Sequence, residues 1–97
     1  MTESRLPRPF TMPSGSGQIV EEARFEGAHA EPAIQLMRFA TGDSAGGYAL
    51  RFCDFSHHGQ FQRSPMMISE AEIDRLREAV SATPQIRELL LRIAGAD

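Results

Sequence analysis

Along the first two-thirds of the chain apolar and polar positions alternate in short runs, and beyond residue 68 the spacing becomes helical. The clearest run is Tyr48–Phe55. Tyr48, Leu50 and Phe52 fall on one side and Arg51 and Phe55 on the other, the two-residue period of a strand. Residues 33–40, AIQLMRFA, divide in the same way: Ile34, Leu36 and Arg38 oppose Gln35, Met37 and Phe39. Eight residues also suit a short helix, so periodicity leaves both readings open. The glycine-rich TGDSAGG that follows favours a hairpin connection. QIVEEARF (18–25) alternates more loosely, with Ile19, Ala23 and Phe25 on one side and Glu21 among them. Ser56–Gly59 reads as a turn and residues 60–64 as a return strand. Pro65, which lacks an N–H, should end that strand or sit on an edge.

Two helices should follow. Ser69 is placed to cap the first, with Glu72 completing a capping box and Ile68 facing Ile73 as a hydrophobic staple. Ile73, Leu76 and Val80 line one face. Thr83, Pro84 and Gly95 bound the second helix. Its apolar band, Ile86, Leu89, Leu90, Leu91 and Ile93, is wider than a small monomer usually covers. It points to a dimer contact through Leu89, Leu90 and Ile93, with ordinary core packing as the other reading. At the opposite end, Pro7, Pro9, Pro13, Gly15 and Gly17 make residues 1–17 a flexible, disordered arm. The expected architecture is α+β: one domain over 18–97, with a small antiparallel sheet of three or four strands followed by one or two C-terminal helices.

Composition narrows the function classes. A chain of 97 residues has a small core that self-association would help to close. No apolar run reaches the roughly 18 residues of a membrane span, and MTESRLPRPF lacks the apolar stretch of a secretory signal. The single Cys53 excludes an internal disulfide and suits a reducing, cytoplasmic setting. Net charge is −3, yet all ten cations are arginines, forked donors suited to phosphate or carboxylate. Acid crowds around Glu21, Glu22, Glu26 and Glu31, and no long basic block marks a nucleic-acid footprint.

Cys53, Asp54, His57 and His58 are the residue types of zinc sites and nucleophilic catalysis. A strand puts Cys53 and Asp54 on opposite faces, and no second Cys-x-x-Cys or His-x-x-x-His element exists. No phosphate-binding glycine loop follows a strand either. Neither catalytic residue, metal, cofactor nor small-molecule substrate is assigned, and a non-enzymatic binding module is expected. Arginines interleaved with phenylalanines are how sheets hold single-stranded DNA or RNA, by phosphate pairing and base stacking. Arg38, Arg51, Phe55, Phe61 and Arg63 are the candidates. A phenylalanine core with solvated arginines is the competing reading, and a strand carrying Glu21 beside Arg51 would neutralise such a site. The alternative function is a protein-interaction or dimerisation module working through the C-terminal helices.

Over residues 33–80 the chain also resembles the positive-cofactor-four family, small single-stranded-DNA-binding transcriptional coactivators. In that family a strand ends in Asp-Ile-Arg-Glu-aromatic, and a glycine-containing turn, a return strand and a helix follow. Here Arg51-Phe52-Cys53-Asp54-Phe55 occupies the run, Gly59 the turn, and Ile73 and Leu76 the helix positions. Cys53 stands where the family has arginine, Ile73 replaces an aromatic, Pro65 replaces a glycine, and lysines are absent. The resemblance implies a curved antiparallel sheet backed by a helix, a homodimer, and a role in transcription regulation.

Overall fold

The computed structural model describes residues 5–61 and 65–96. It is α+β, with one more strand than the upper expectation. The strands are β1 (Arg8–Met12), β2 (Gly15–Arg24), β3 (Glu31–Phe39), β4 (Tyr48–Phe55) and β5 (Met66–Ser69). The helices α1 (Glu70–Ser81) and α2 (Pro84–Ala94) follow. Each strand pairs antiparallel with the next, giving a meander in the order β1-β2-β3-β4-β5.

Part of the segment expected as a flexible arm is structured. Arg8–Met12 pairs with Gly15–Ile19, and two features explain why a Pro- and Gly-rich stretch orders. Phe10, Gly17 and Phe39 occupy one row across β1, β2 and β3. The missing side chain at Gly17 lets the flanking rings meet edge to face, 5.0 Å apart. A Cβ at Gly17 would also collide with the Arg38 carbonyl. The glycine that looks like a loop signal is therefore a close-approach position inside a strand.

The register sorts the side chains onto two faces. One face carries Phe10, Ile19, Met37, Phe39 and Ala49, the buried core, with Met12 and Met67 of the two edge strands packed against it. The helices lie over the opposite face, yet Ile19, Met37 and Phe39 are only 0–3% exposed here, so the sheet curls around them and this face is concave. The other face carries Ile34, Leu36, Leu50 and Phe52, all half-buried, and the helices lie over it. β2 changes faces part-way: a register shift between Ile19 and Glu21 makes Val20 the extra residue of a bulge. Ile19 therefore points into the core, whereas Glu21 and Ala23 face outward and Glu22 and Arg24 face inward. The expected grouping of Ile19 with Ala23 and Phe25 is corrected by this one inserted residue.

The return strand lies later than expected. Phe61 forms a single bridge to Phe55, and β5 begins after Pro65, at Met66. Residues 62–64 lie outside the described residues. Ser69 is the N-cap of α1, but its hydroxyl donates to the Glu72 carboxylate (3.4 Å) rather than receiving a backbone N–H. At the far end of α2, Gly95 takes a left-handed φ of 75° and the Ala96 N–H closes on the Leu91 carbonyl, the glycine-terminated stop.

Candidate functional site

Two surfaces gather the residues that the sequence singles out. The first is the polar end of the concave face. Arg8, Glu22, Gln35 and Arg51 form a continuous side-chain row across β1, β2, β3 and β4. Arg8 Nη2 donates to Glu22 Oε2 at 2.8 Å, and Gln35 Nε2 donates to the same oxygen at 2.6 Å. Arg51 Nε donates to Gln35 Oε1 at 2.7 Å. The chemistry fixes the orientation of the amide. Arg51 can only donate and the Glu22 carboxylate can only accept, so the Gln35 oxygen must face the guanidinium and its nitrogen the acid. Gln35 is wholly buried, and its network leaves no buried side-chain N or O without a partner among the described residues.

Beyond this row lies an arginine–phenylalanine stack. The Arg24 guanidinium sits 3.9 Å above the Phe55 ring centre, Phe55 meets Phe61 edge to face at 5.4 Å, and Arg51 lies 4.8 Å from the Phe61 ring centre. Arg24 is also held by Glu31 through Nε at 3.0 Å. Phe55 is buried beneath the stack, while Phe61 stays 43% exposed. Cys53 faces the same side, and burial raises its thiol pKa above the ordinary 9.0, with Glu22 and Asp54 adding to the rise and Arg51 opposing it. The thiol therefore stays protonated at neutral pH, a small packed group rather than an activated nucleophile.

Of the nucleic-acid candidates, Arg51, Phe55 and Phe61 come together in this stack. Arg38 does not: it is exposed on the opposite face, paired across the ladder with Tyr48. Arg63 lies outside the described residues. Glu22, not Glu21, is the acid that reaches the concave face, because the bulge at Val20 exchanges the two. Arg8, Arg24, Glu22 and Gln35 are site residues that the sequence pattern did not reveal. Only the side-chain alternation of Glu22 and Arg24 hints at them, and that parity can be read only once the bulge is known.

The histidines part company. His58 and His29 are exposed, and the turn is tied by the Ser56 hydroxyl, which accepts the N–H groups of His58 and Gln60. His57 Nδ1 lies 3.8 Å from both Glu26 and Glu31. Among the described residues these three are the group whose ligand atoms gather within 4.8 Å. Arg24 holds one oxygen of Glu31 and Glu26 is exposed, so the group is organised by the Arg24–Glu31 ion pair at the sheet's end.

The second surface is helical. Neither α1 nor α2 contains a buried residue. Ile86, Leu89, Leu90 and Ile93 are 41–69% exposed, and Ile73 and Leu76 of α1 stand about as open. Between α2 and the outer face of the sheet runs an open groove of about 840 Å³ lined by Ala23, Phe25, Ile34, Phe52 and Ile93 among others. The expected interface residues Leu89, Leu90 and Ile93 thus share one exposed stripe. Among the described residues no helix is long and apolar enough to cross a membrane.

No protein-family model, curated protein or solved structure matches the chain.

Proposed function

We propose that this chain is a protein-interaction module whose working surface is its C-terminal helical hairpin, the alternative reading of the sequence. The observation that carries it is that two amphipathic helices end the fold with no buried residue between them. A helix of this length is marginal in water unless its apolar face is covered. Fully burying a leucine or isoleucine contributes roughly 1.5–3 kcal/mol, so four half-exposed side chains on α2 leave a large stabilisation for a partner to supply. Light scattering coupled to size exclusion tests this, with amide exchange reporting on the helices. The wild type should run above one 10.7 kDa chain, and Leu89→Asp should return it to a single folded chain. A monomer at every concentration, with strongly protected helical amides, would show that the helices need no partner.

A second reading is favoured by the exposed Phe61 ring with Arg51 against it. A base stacked there, with its phosphate on Arg51, is the single-stranded nucleic-acid function that the family resemblance implies. The surroundings limit it: Arg8 and Arg24 are matched by Glu22 and Glu31, and the concave face is filled by its own side chains. Fluorescence anisotropy with labelled oligo-dT at low and moderate salt measures it. Binding should weaken with salt, and Phe61→Ala should lower affinity by about 5- to 150-fold, from roughly 1–3 kcal/mol per stacked base. Absence of binding at low micromolar protein sinks this reading.

A further inference from the structure

The helical surface is not only uncovered but self-complementary. At 100° per residue, Ile86, Leu89, Leu90 and Ile93 fall within an arc of about 100° on α2, an apolar ridge. Arg87 and Arg92 fall on either side of that arc. The groove beside it is apolar at its floor, with Ala23, Ile34 and Phe52, and carries Asp54 in its lining. It adjoins a smaller cleft of about 450 Å³ that holds Glu21. Arg24, the cation at the groove, is held by Glu31. One chain therefore presents both an apolar ridge with basic flanks and an apolar groove with acidic margins. Ile93 belongs to both.

We propose that the occupant of this groove is the α2 ridge of a second copy of the chain, inserted reciprocally about a two-fold axis. This rests on the interaction reading and names its partner. A two-fold pair requires a surface that fits itself, which a ridge and a groove on one chain provide. Phe25, Met66, Ile73 and Leu76 lie on the same side of the molecule as the ridge, and all eight large side chains are 39–69% exposed. Together they form an apolar surface of several large side chains, the kind of buried centre around which a standard interface of about 800 Å² per partner is built. The arginines of the ridge then meet the acids of the groove, which sets the direction of docking and disfavours ridge against ridge, where Arg87 and Arg92 would approach their own copies.

Intersubunit complementation tests it, by light scattering at tens of micromolar, with far-UV circular dichroism to confirm folding. Leu89→Asp spoils the ridge; Ala23→Arg blocks the groove at a position exposed in the single chain. The wild type should have twice the mass of one 10.7 kDa chain. Each variant alone should dimerise at least tenfold more weakly. An equimolar mixture should recover dimers, because one intact ridge meets one intact groove while the introduced carboxylate faces the introduced guanidinium. Leu89→Asp monomeric with Ala23→Arg dimeric would mean that the helices pair without the groove, overturning the inference and sparing the interaction reading. Two monomeric variants that fail to complement overturn it as well. So does a monomeric wild type whose helical amides exchange freely, which would point to a foreign partner. A monomeric wild type with protected helices sinks both.

Discussion

Gln35 shows most directly how single residues set the character of the sheet. It is the one wholly buried polar side chain among the described residues, and it stands between a carboxylate and a guanidinium, using its two ends for opposite partners. Replacing it with leucine keeps the volume but removes both bonds. The almost wholly buried Glu22 carboxylate would then keep Arg8 but lose a short charge-assisted bond, and Arg51 would lose the Gln35 oxygen while keeping the Phe61 ring. Leaving the buried Glu22 carboxylate short of a partner costs about 1.5–3 kcal/mol. Gln35→Leu should therefore lower the urea midpoint with an unchanged slope. A midpoint equal to wild type would mean that water replaces the amide and that the row is not structurally demanding. Cys53, next to this row, behaves in the opposite sense. Its raised pKa makes the protonated thiol the form that the fold favours. Its contribution is whole below the ordinary 9.0 and fades as pH climbs through the raised value.

At the level of elements, what could be read from the chain and what could not follow from one physical distinction. β4 and both helices announce themselves because each has an uninterrupted period over eight or more residues, bounded by glycine, proline or a capping residue, whereas the period of residues 33–40 suits a strand or a short helix and only the glycine-rich loop after it favours β3. Pro84 and Gly95 mark α2 because a first-turn proline gives up an N–H that has no intrahelical partner and a left-handed glycine closes the far end, whereas the Thr83 hydroxyl donates to the Val80 carbonyl rather than capping α2. β1 and the start of β2 carry no such mark. Their glycines are there for close approach between strands, and Gly17 makes room for Phe10 and Phe39, contacts that arise only after the hairpin has formed. The bulge at Val20 is invisible for the same reason: an extra residue changes the parity of a strand without changing its composition. That single shift is why Glu22 and Arg24 enter the candidate site and Glu21 does not. Arg38 illustrates the converse. Its parity places it with Ile34 and Leu36, and only the interleaving of arginines with phenylalanines groups it with Arg51. Strand alternation was the better guide.

The molecule as a whole divides its apolar side chains between two cores, only one of which is closed. The concave core of Phe10, Ile19, Met37, Phe39 and Ala49 is sealed by the curl of the sheet. The outer core, between the other face and the helices, stays half open, with its large residues roughly half exposed. A chain this size buries only about 60–65% of its unfolded surface, so an unfinished second core is a substantial share of what could stabilise it. If the second copy completes that core, association is coupled to folding, and mass action applies to the melting temperature. A tenfold rise in protein concentration adds about 0.7 kcal/mol per chain, which for a domain near 100 residues raises the melting temperature by roughly 3–6 °C. Leu89→Asp should both lower the melting temperature and abolish its concentration dependence, because the variant unfolds as a single chain. Calorimetry over a hundredfold concentration range would read this without any assumption about the geometry of the pair. A melting temperature indifferent to concentration would show that the concave core alone carries the fold, with the helices as passengers on its outer face.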